Sequence, residues 1–208
     1  MKRFIDLSHF INQSINVYPG DPEFKLIKKK SIEFDNCLVH EIKMGSHLGT
    51  HIDFPSHIFK KAKFIQHYDI NSFIGNSIKV NYDEINLEKL QDLNFEFLIL
   101  NYNWYQLFPN NDFYTKKRPS IDMDLLNLLI DKKIKGFCTD LPTVDVNGSK
   151  TKDVHKALLG NDILIYESLN NLNMLTSYKI YAFQGLPLNI NFLEASPSRP
   201  YVIDNENI

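Results

Sequence analysis

Cysteine is scarce in this chain: two thiols in 208 residues, Cys37 and Cys138. Two cysteines without a Cys-x-x-Cys spacing exclude a disulfide framework. No histidine is placed to activate either one as a nucleophile. Long apolar runs are missing too, since none approaches the roughly 20 residues that cross a bilayer. The opening Met1-Lys2-Arg3-Phe4-Ile5-Asp6 is basic but has no apolar stretch behind it, so no secretory signal is read and the cytoplasm is the expected compartment. A formal charge of −2 leaves no electrostatic footprint for nucleic acid. Linkers, internal repeats and low-complexity tracts are absent, as is a G-x-S-x-G nucleophile elbow. What remains is ordinary globular composition, 43% hydrophobic and 23% charged, at a length that fits one domain over residues 1–208.

Against that plain background one segment stands out. His47-Leu-Gly-Thr-His51-Ile-Asp53-Phe-Pro-Ser-His57 places four ligand-type side chains in eleven residues and holds three of the chain's seven histidines. Imidazole with carboxylate suits a borderline or hard divalent cation such as Zn²⁺ or Mn²⁺. Gly49, β-branched Thr50 and Pro55 disfavour a helix through the segment. In a straight strand the His47 and His51 Cα atoms would stand roughly 13 Å apart, too far to share one ion, whereas His51 and Asp53, at roughly 6.6 Å, could share it. Both histidines can bind one cation only if the backbone bends between them, and Gly49 is where a bend costs least. Pro55 is then expected to end the strand and set His57 apart.

Eight strands are expected: residues 4–7, 38–44, 50–53, 77–81, 95–101, 134–139, 163–168 and 179–183. Helices are expected over 70–74, 87–93, 121–132 and 151–159, the third capped by Ser120 with its apolar stripe inward. Helix-then-strand pairing in residues 85–170 suggests α/β units, and the strand-rich first third argues for a mixed sheet rather than a plain doubly wound one. His155 falls in the last helix, and Glu167 follows the apolar run Ile163–Tyr166, where a carboxylate is usually a solvated strand end. His9 is placed near the site only by its segment. His40 and His67 are expected at the surface.

The central segment resembles the H-x-G-T-H-x-D-x-P-x-H signature of the cyclase-type metal hydrolases, a family that includes bacterial kynurenine formamidase (arylformamidase) and isatin hydrolase. The resemblance runs nearly the length of the chain. Asp6-Leu7-Ser8, Tyr18-Pro19-Gly20-Asp21-Pro22, Asp140-Leu141-Pro142-Thr143, His155 with Glu167, Leu186-Pro187-Leu188 and Ser196-Pro197-Ser198-Arg199 follow the family's segments in order. It implies a compact β/β/α barrel-like α/β domain and puts His47, His51 and Asp53 on one metal. Asp53 would bridge to a second ion completed by His155 and Glu167, giving two Zn²⁺ per chain, with Mn²⁺ an acceptable substitute. His57 would be the acid/base residue, and Tyr18 would line the substrate pocket.

The implied activity is hydrolysis of a small-molecule amide, foremost an aryl formamide such as N-formylkynurenine. Isatin-type lactams, other cyclic amides and a non-hydrolytic cyclisation are the alternatives. The resemblance also implies a homodimer, in which the loop 16–21 could reach a neighbour's pocket. Departures fall around the pocket: Tyr18 replaces the usual Trp, Ala195 the usual Gly, and Asn101-Tyr102-Asn103-Trp104 the usual Arg-Thr. Tyr18, Phe54 and Trp104 are the candidate aromatic surfaces for a planar ring.

Overall fold

Phe97-Leu-Ile-Leu-Asn101 is apolar with almost no alternation, the pattern of a strand covered on both faces. The computed structural model describes residues 2–205 and places this strand at the centre of the molecule. In chain order the strands are β1 (Lys2–Asp6), β2 (Lys25–Lys30), β3 (Val39–Lys43), β4 (His51–Asp53), β5 (Ile74–Asn81), β6 (Phe97–Asn101), β7 (Gly136–Thr139), β8 (Leu164–Glu167), β9 (Ile180–Gln184), β10 (Ala195–Pro197) and β11 (Tyr201–Asn205). The α-helices are α1 (Ile32–Asp35), α2 (Leu87–Asp92), α3 (Asp112–Thr115), α4 (Met123–Asp131) and α5 (Asp153–Gly160).

One mixed sheet runs in the order β1-β11-β9-β5-β6-β7-β8-β4-β10. The centre, β5 to β8, is parallel, and the outer strands are antiparallel. Parallel neighbours need crossover connections, and α2, α4 and α5 lie in those crossovers. Alternation along the strands separates two cores. Phe97, Ile99, Leu164 and Tyr166 join one with Ile52, Phe54 and Phe183. Leu98, Leu100, Phe137, Ile163 and Ile165 join the other with Leu125, Leu126, Leu129 and Leu158 of α4 and α5. Each fully buried leucine of α4 contributes about 1.5–3 kcal/mol relative to exposure. Among the described residues no helix is long and apolar enough to cross a membrane.

The mixed-sheet α/β architecture is the expected one, with local corrections. Residues 70–73 form a single 3-10 turn capped by the Asp69 carboxylate, which accepts from Asn71 N at 2.8 Å, and Ile74 already begins β5. The cap of α4 is Asp122, accepting from Asp124 N and Leu125 N, instead of Ser120. Two residues decide this, because Ile121 turns into the core before the helix starts. Strands β2, β10 and β11 carry too little periodicity to read: β2 is Lys-rich and β10 contains Pro197. The expected strand over 38–44 exists as β3 but pairs only with β2, in a separate two-stranded ribbon with no buried residue.

Candidate metal centre

His51 and Asp53 share one face of β4, while Ile52, between them, points into the core with Tyr166. β8 runs antiparallel beside β4 with Glu167 directly opposite His51. Glu167 lies on the same side of β8 as Ile165, the side covered by α5. His155, one turn into α5, therefore comes down on the same donors. The result is a tight set: His51 Nε2 lies 3.5 Å from both Asp53 Oδ1 and Glu167 Oε2, and His155 Nε2 lies 3.6 Å from Asp53 Oδ2 and 3.5 Å from Glu167 Oε1.

The bend needed at Gly49 is present. Its φ is +64°, and a Cβ there would sit 3.3 Å from Ile11 Cγ1. The turn brings His47 Nδ1 to 2.9 Å from Asp53 Oδ1 and the His47 and His51 rings to a centroid distance of 5.0 Å. Pro55 ends β4 as expected, but His57 is not set apart. Pro55–His57 forms a 3-10 turn that folds His57 back over the cluster, 4.4 Å from the His47 ring and 5.5 Å from His155.

Electrostatics in this pocket are strongly coupled. Burial pushes the Asp53 carboxyl up, but the His47 and His51 charges outweigh it and hold the group well below the carboxylate range. His47 is destabilised as a cation by burial and restored by Asp53 and Glu194, which raise it to about 11. Burial likewise opposes the charged form of His155, and Asp145 with Asp53 carries it up to about 9. His57 goes the other way: burial, joined by His47 and His155, lowers it despite Asp53. Its surroundings thus disfavour the charged form of His57.

Several observations fit a divalent cation. His51 Nε2 and Asp53 Oδ2 are buried without a hydrogen-bond partner, and Asp53 Oδ1 meets only the imidazoles of His47 and His51. A bare buried carboxylate is expensive, whereas one facing a cation is not. The donors of His51, Asp53 and Glu167 lie within 4.8 Å of one another, as do those of His47, Asp53 and His57. The outer contacts also fix the imidazoles. His51 Nδ1 meets Gly49 O at 2.8 Å and His155 Nδ1 meets Asp145 Oδ2 at 2.5 Å, leaving each Nε2 for a cation. Imidazole with carboxylate is a zinc-type set that manganese also accepts.

Asp145 carries no signal in the sequence beyond being one more Asp in a loop. It is 3% exposed, holds His155 and accepts Val154 N at 3.1 Å. Glu194 was equally silent, yet it lies 3.5 Å from His47 Nε2. Asp140 is structural: its carboxylate accepts the backbone N–H groups of Tyr102, Trp104 and Tyr105, and burial pushes it up to about 6.

A cavity of about 150 Å³ opens above the donors, edged by Tyr18, Asp21, Tyr114, Thr143 and Lys152. Tyr18 thus stands over this chain's own cavity. Phe54 and Trp104 do not reach it: Phe54 is fully buried in the core, and Trp104 donates its Nε1–H to Phe113 O at 2.9 Å. His9 does not reach it either. It stacks on Phe108 at 3.9 Å and donates its backbone N–H to Thr50 Oγ1. A wider cleft of about 810 Å³ lies at the amino ends of the parallel strands, but its Lys63 and Asp162 pair with each other. The donor cluster instead follows the carboxyl ends, where open α/β sheets bind ligands.

The Cyclase family model matches residues 5–146. A protein of Methanocaldococcus jannaschii with no assigned function is 36% identical over 183 residues, 88% of this chain and 90% of that one. Kynurenine formamidase of Geobacillus thermodenitrificans is 29% identical over 203 residues, 96% of each chain. Among solved structures, an isatin hydrolase bound to the product analogue thioisatinate superposes with a TM-score of 0.82 at 16% identity, covering 98% of this chain and 92% of that one. Its likeness is one of fold. With the family model spanning residues 5–146, this chain belongs to the Cyclase family.

Proposed function

We propose that the chain is an aryl formamidase that cleaves N-formylkynurenine, or a closely related aryl formamide, to the arylamine and formate. The reading is supported by curated relatives that are kynurenine formamidases and by a fold neighbour described as a potential metal-dependent hydrolase with cyclase activity. The observation that carries the reading is the fully buried Asp53 carboxylate, ringed by His47, His51, His155 and Glu167 under a cavity edged by Tyr18.

In this reading His47, His51 and Asp53 would hold one cation and His155 and Glu167, with Asp53, would hold a second, both Zn²⁺ with Mn²⁺ an acceptable substitute. Divalent cations there supply Lewis acidity to a carbonyl oxygen and bring the pKa of a water to about 7. The protein supplies the rest. Asp145 fixes the His155 ring, and Gly49 O fixes His51. His57, whose charged form is disfavoured by burial, would take a proton from the attacking water and return it to the departing amine. Tyr18 and Tyr114, stacked edge to face at 6.0 Å, form the wall against which the aryl ring lies.

We also place the chain in the cytoplasm as a homodimer. Both cysteines are free, and α1 and β3 expose Ile32, Phe34 and Ile42 at 65%, 92% and 59%, an apolar surface suited to a second copy.

The test is metal analysis of the purified protein with formate release from N-formylkynurenine before and after chelation. Bound metal with chelator-sensitive formate release is expected. Metal with turnover of isatin alone would replace the formamide with a lactam, and failure to take up Zn²⁺ or Mn²⁺ would overturn the reading.

A further inference from the structure

Two charged side chains at the rim of the cavity are not used by the hydrolytic chemistry. Lys152 is the N-cap residue of α5, three positions before His155, and adopts the left-handed conformation with φ +55° and ψ +47°. Helix caps favour Ser, Thr, Asp or Asn, and left-handed backbone favours Gly or Asn. Lysine meets neither preference, and its side chain gives the helix no capping bond. What it provides is an ammonium at the cavity, in no ion pair among the described residues, whose charge also acts on the Asp145 carboxylate. Asp21 closes the turn Tyr18-Pro19-Gly20-Asp21, in which Asp21 N donates to Tyr18 O at 2.9 Å and Gly20 takes φ +100°. Proline then glycine at the two central positions is the type II pattern, so the turn that sets Tyr18 over the cavity also sets Asp21 beside it. Both residues are half-buried. Asp21 acts on its neighbour Tyr114, whose phenol is raised to about 12 by burial and then by this carboxylate. No ion pair joins Asp21 to Lys152.

A rim with one cation and one anion discriminates by charge pattern. A purely anionic substrate gains Lys152 and is repelled by Asp21, and a purely cationic one meets the reverse. A neutral ring leaves both charges unused, which costs affinity when they are partly desolvated. Only a ligand carrying both signs is favoured at each position.

We infer that Lys152 and Asp21 form a head-group subsite that binds the carboxylate and the ammonium of an α-amino-acid substituent on the substrate. The inference rests on the amide-hydrolase reading and narrows it to aryl amides bearing a free amino-acid group. Lys152 donates to the carboxylate, Asp21 accepts from the ammonium, and the scissile amide is directed down toward Asp53.

The experiment compares kcat/KM for N-formylkynurenine with that for N-(2-acetylphenyl)formamide, which keeps the ring and formamide but lacks the amino-acid group. In the unaltered protein the first is preferred. Lys152→Met and Asp21→Asn are each expected to reduce that preference roughly tenfold, the scale of one charge-assisted contact, mainly through KM, with Lys152→Arg retaining most of it. An unchanged preference in both variants would overturn the inference. If neither formamide is cleaved, the formamidase reading fails by itself, and calorimetric binding of kynurenine against 2-aminoacetophenone decides the subsite. A preference for kynurenine that Lys152→Met abolishes sustains it, and equal binding of the two refutes it.

Discussion

His51 and Glu167 face each other across the antiparallel register of β4 and β8, with Nε2 and Oε2 at 3.5 Å. They are 116 positions apart in the chain, yet a single strand pairing makes them neighbours. A slip of one residue in that pairing would turn one of them to the opposite core. Glu167→Gln should therefore preserve the fold while lowering metal affinity by at least about a hundredfold, since removing a ligand costs more than removing the group behind it. Competition with a chromophoric chelator measures this.

Asp145 tests the support behind the ligands. Its contact to His155 Nδ1 fixes which ring nitrogen faces Asp53 and Glu167. Asp145→Asn is expected to weaken metal binding about 10–100-fold without unfolding the protein. An affinity equal to that of the unaltered protein would remove Asp145 from the site.

His57 separates two roles. Its donor lies within the His47–Asp53 group, where it is placed to ligate as well as to move protons. As an acid/base residue its loss in His57→Gln should lower kcat about 10²–10⁴-fold at unchanged metal content. Loss of a metal equivalent from the variant would make His57 a ligand instead.

His9 gives a pH dependence remote from the cluster. Burial lowers it from 6.5 to about 4, only partly opposed by a backbone contact from Leu169. Because the folded pKa is depressed, the unfolded chain binds the extra proton between those two values. The stabilisation is complete above pH 6.5 and is lost as pH falls toward 4, at most about 3 kcal/mol. His9→Phe keeps an aromatic ring against Phe108 and should flatten this acid limb in urea unfolding at pH 7 and pH 4.5. An identical loss in both proteins would show that His9 does not titrate in this way.

The exposed ribbon makes the oligomeric state testable. Phe34→Glu with Ile42→Lys should convert a dimer to a monomer in sedimentation, because it removes the apolar surface that β3 and the adjoining α1 expose. A dimer that survives both substitutions uses another face.

How far the sequence reaches depends on how local the signal is. The run from His47 to His57 identifies its own donors because they are crowded and Gly49 marks the bend. The apolar run 97–101 announces a central strand, and the helix-strand pairs after it announce the crossovers. Glu167 reads as a solvated strand end because nothing near it in sequence says otherwise, yet it is 3% exposed. Asp145, Glu194 and Lys152 are ordinary charged residues until the chain is folded.

The sequence alone determined the crowding of ligand-type side chains, the bend at Gly49 and the mixed α/β character, since each follows from residue chemistry within a few positions. The tertiary structure alone decided that His57 folds back over the cluster, that Asp145 steers His155, and that Asp21 and Lys152 share one rim. These outcomes depend on strand register and helix placement, which are set by burial of the two cores across the whole chain. No short window of sequence contains that information.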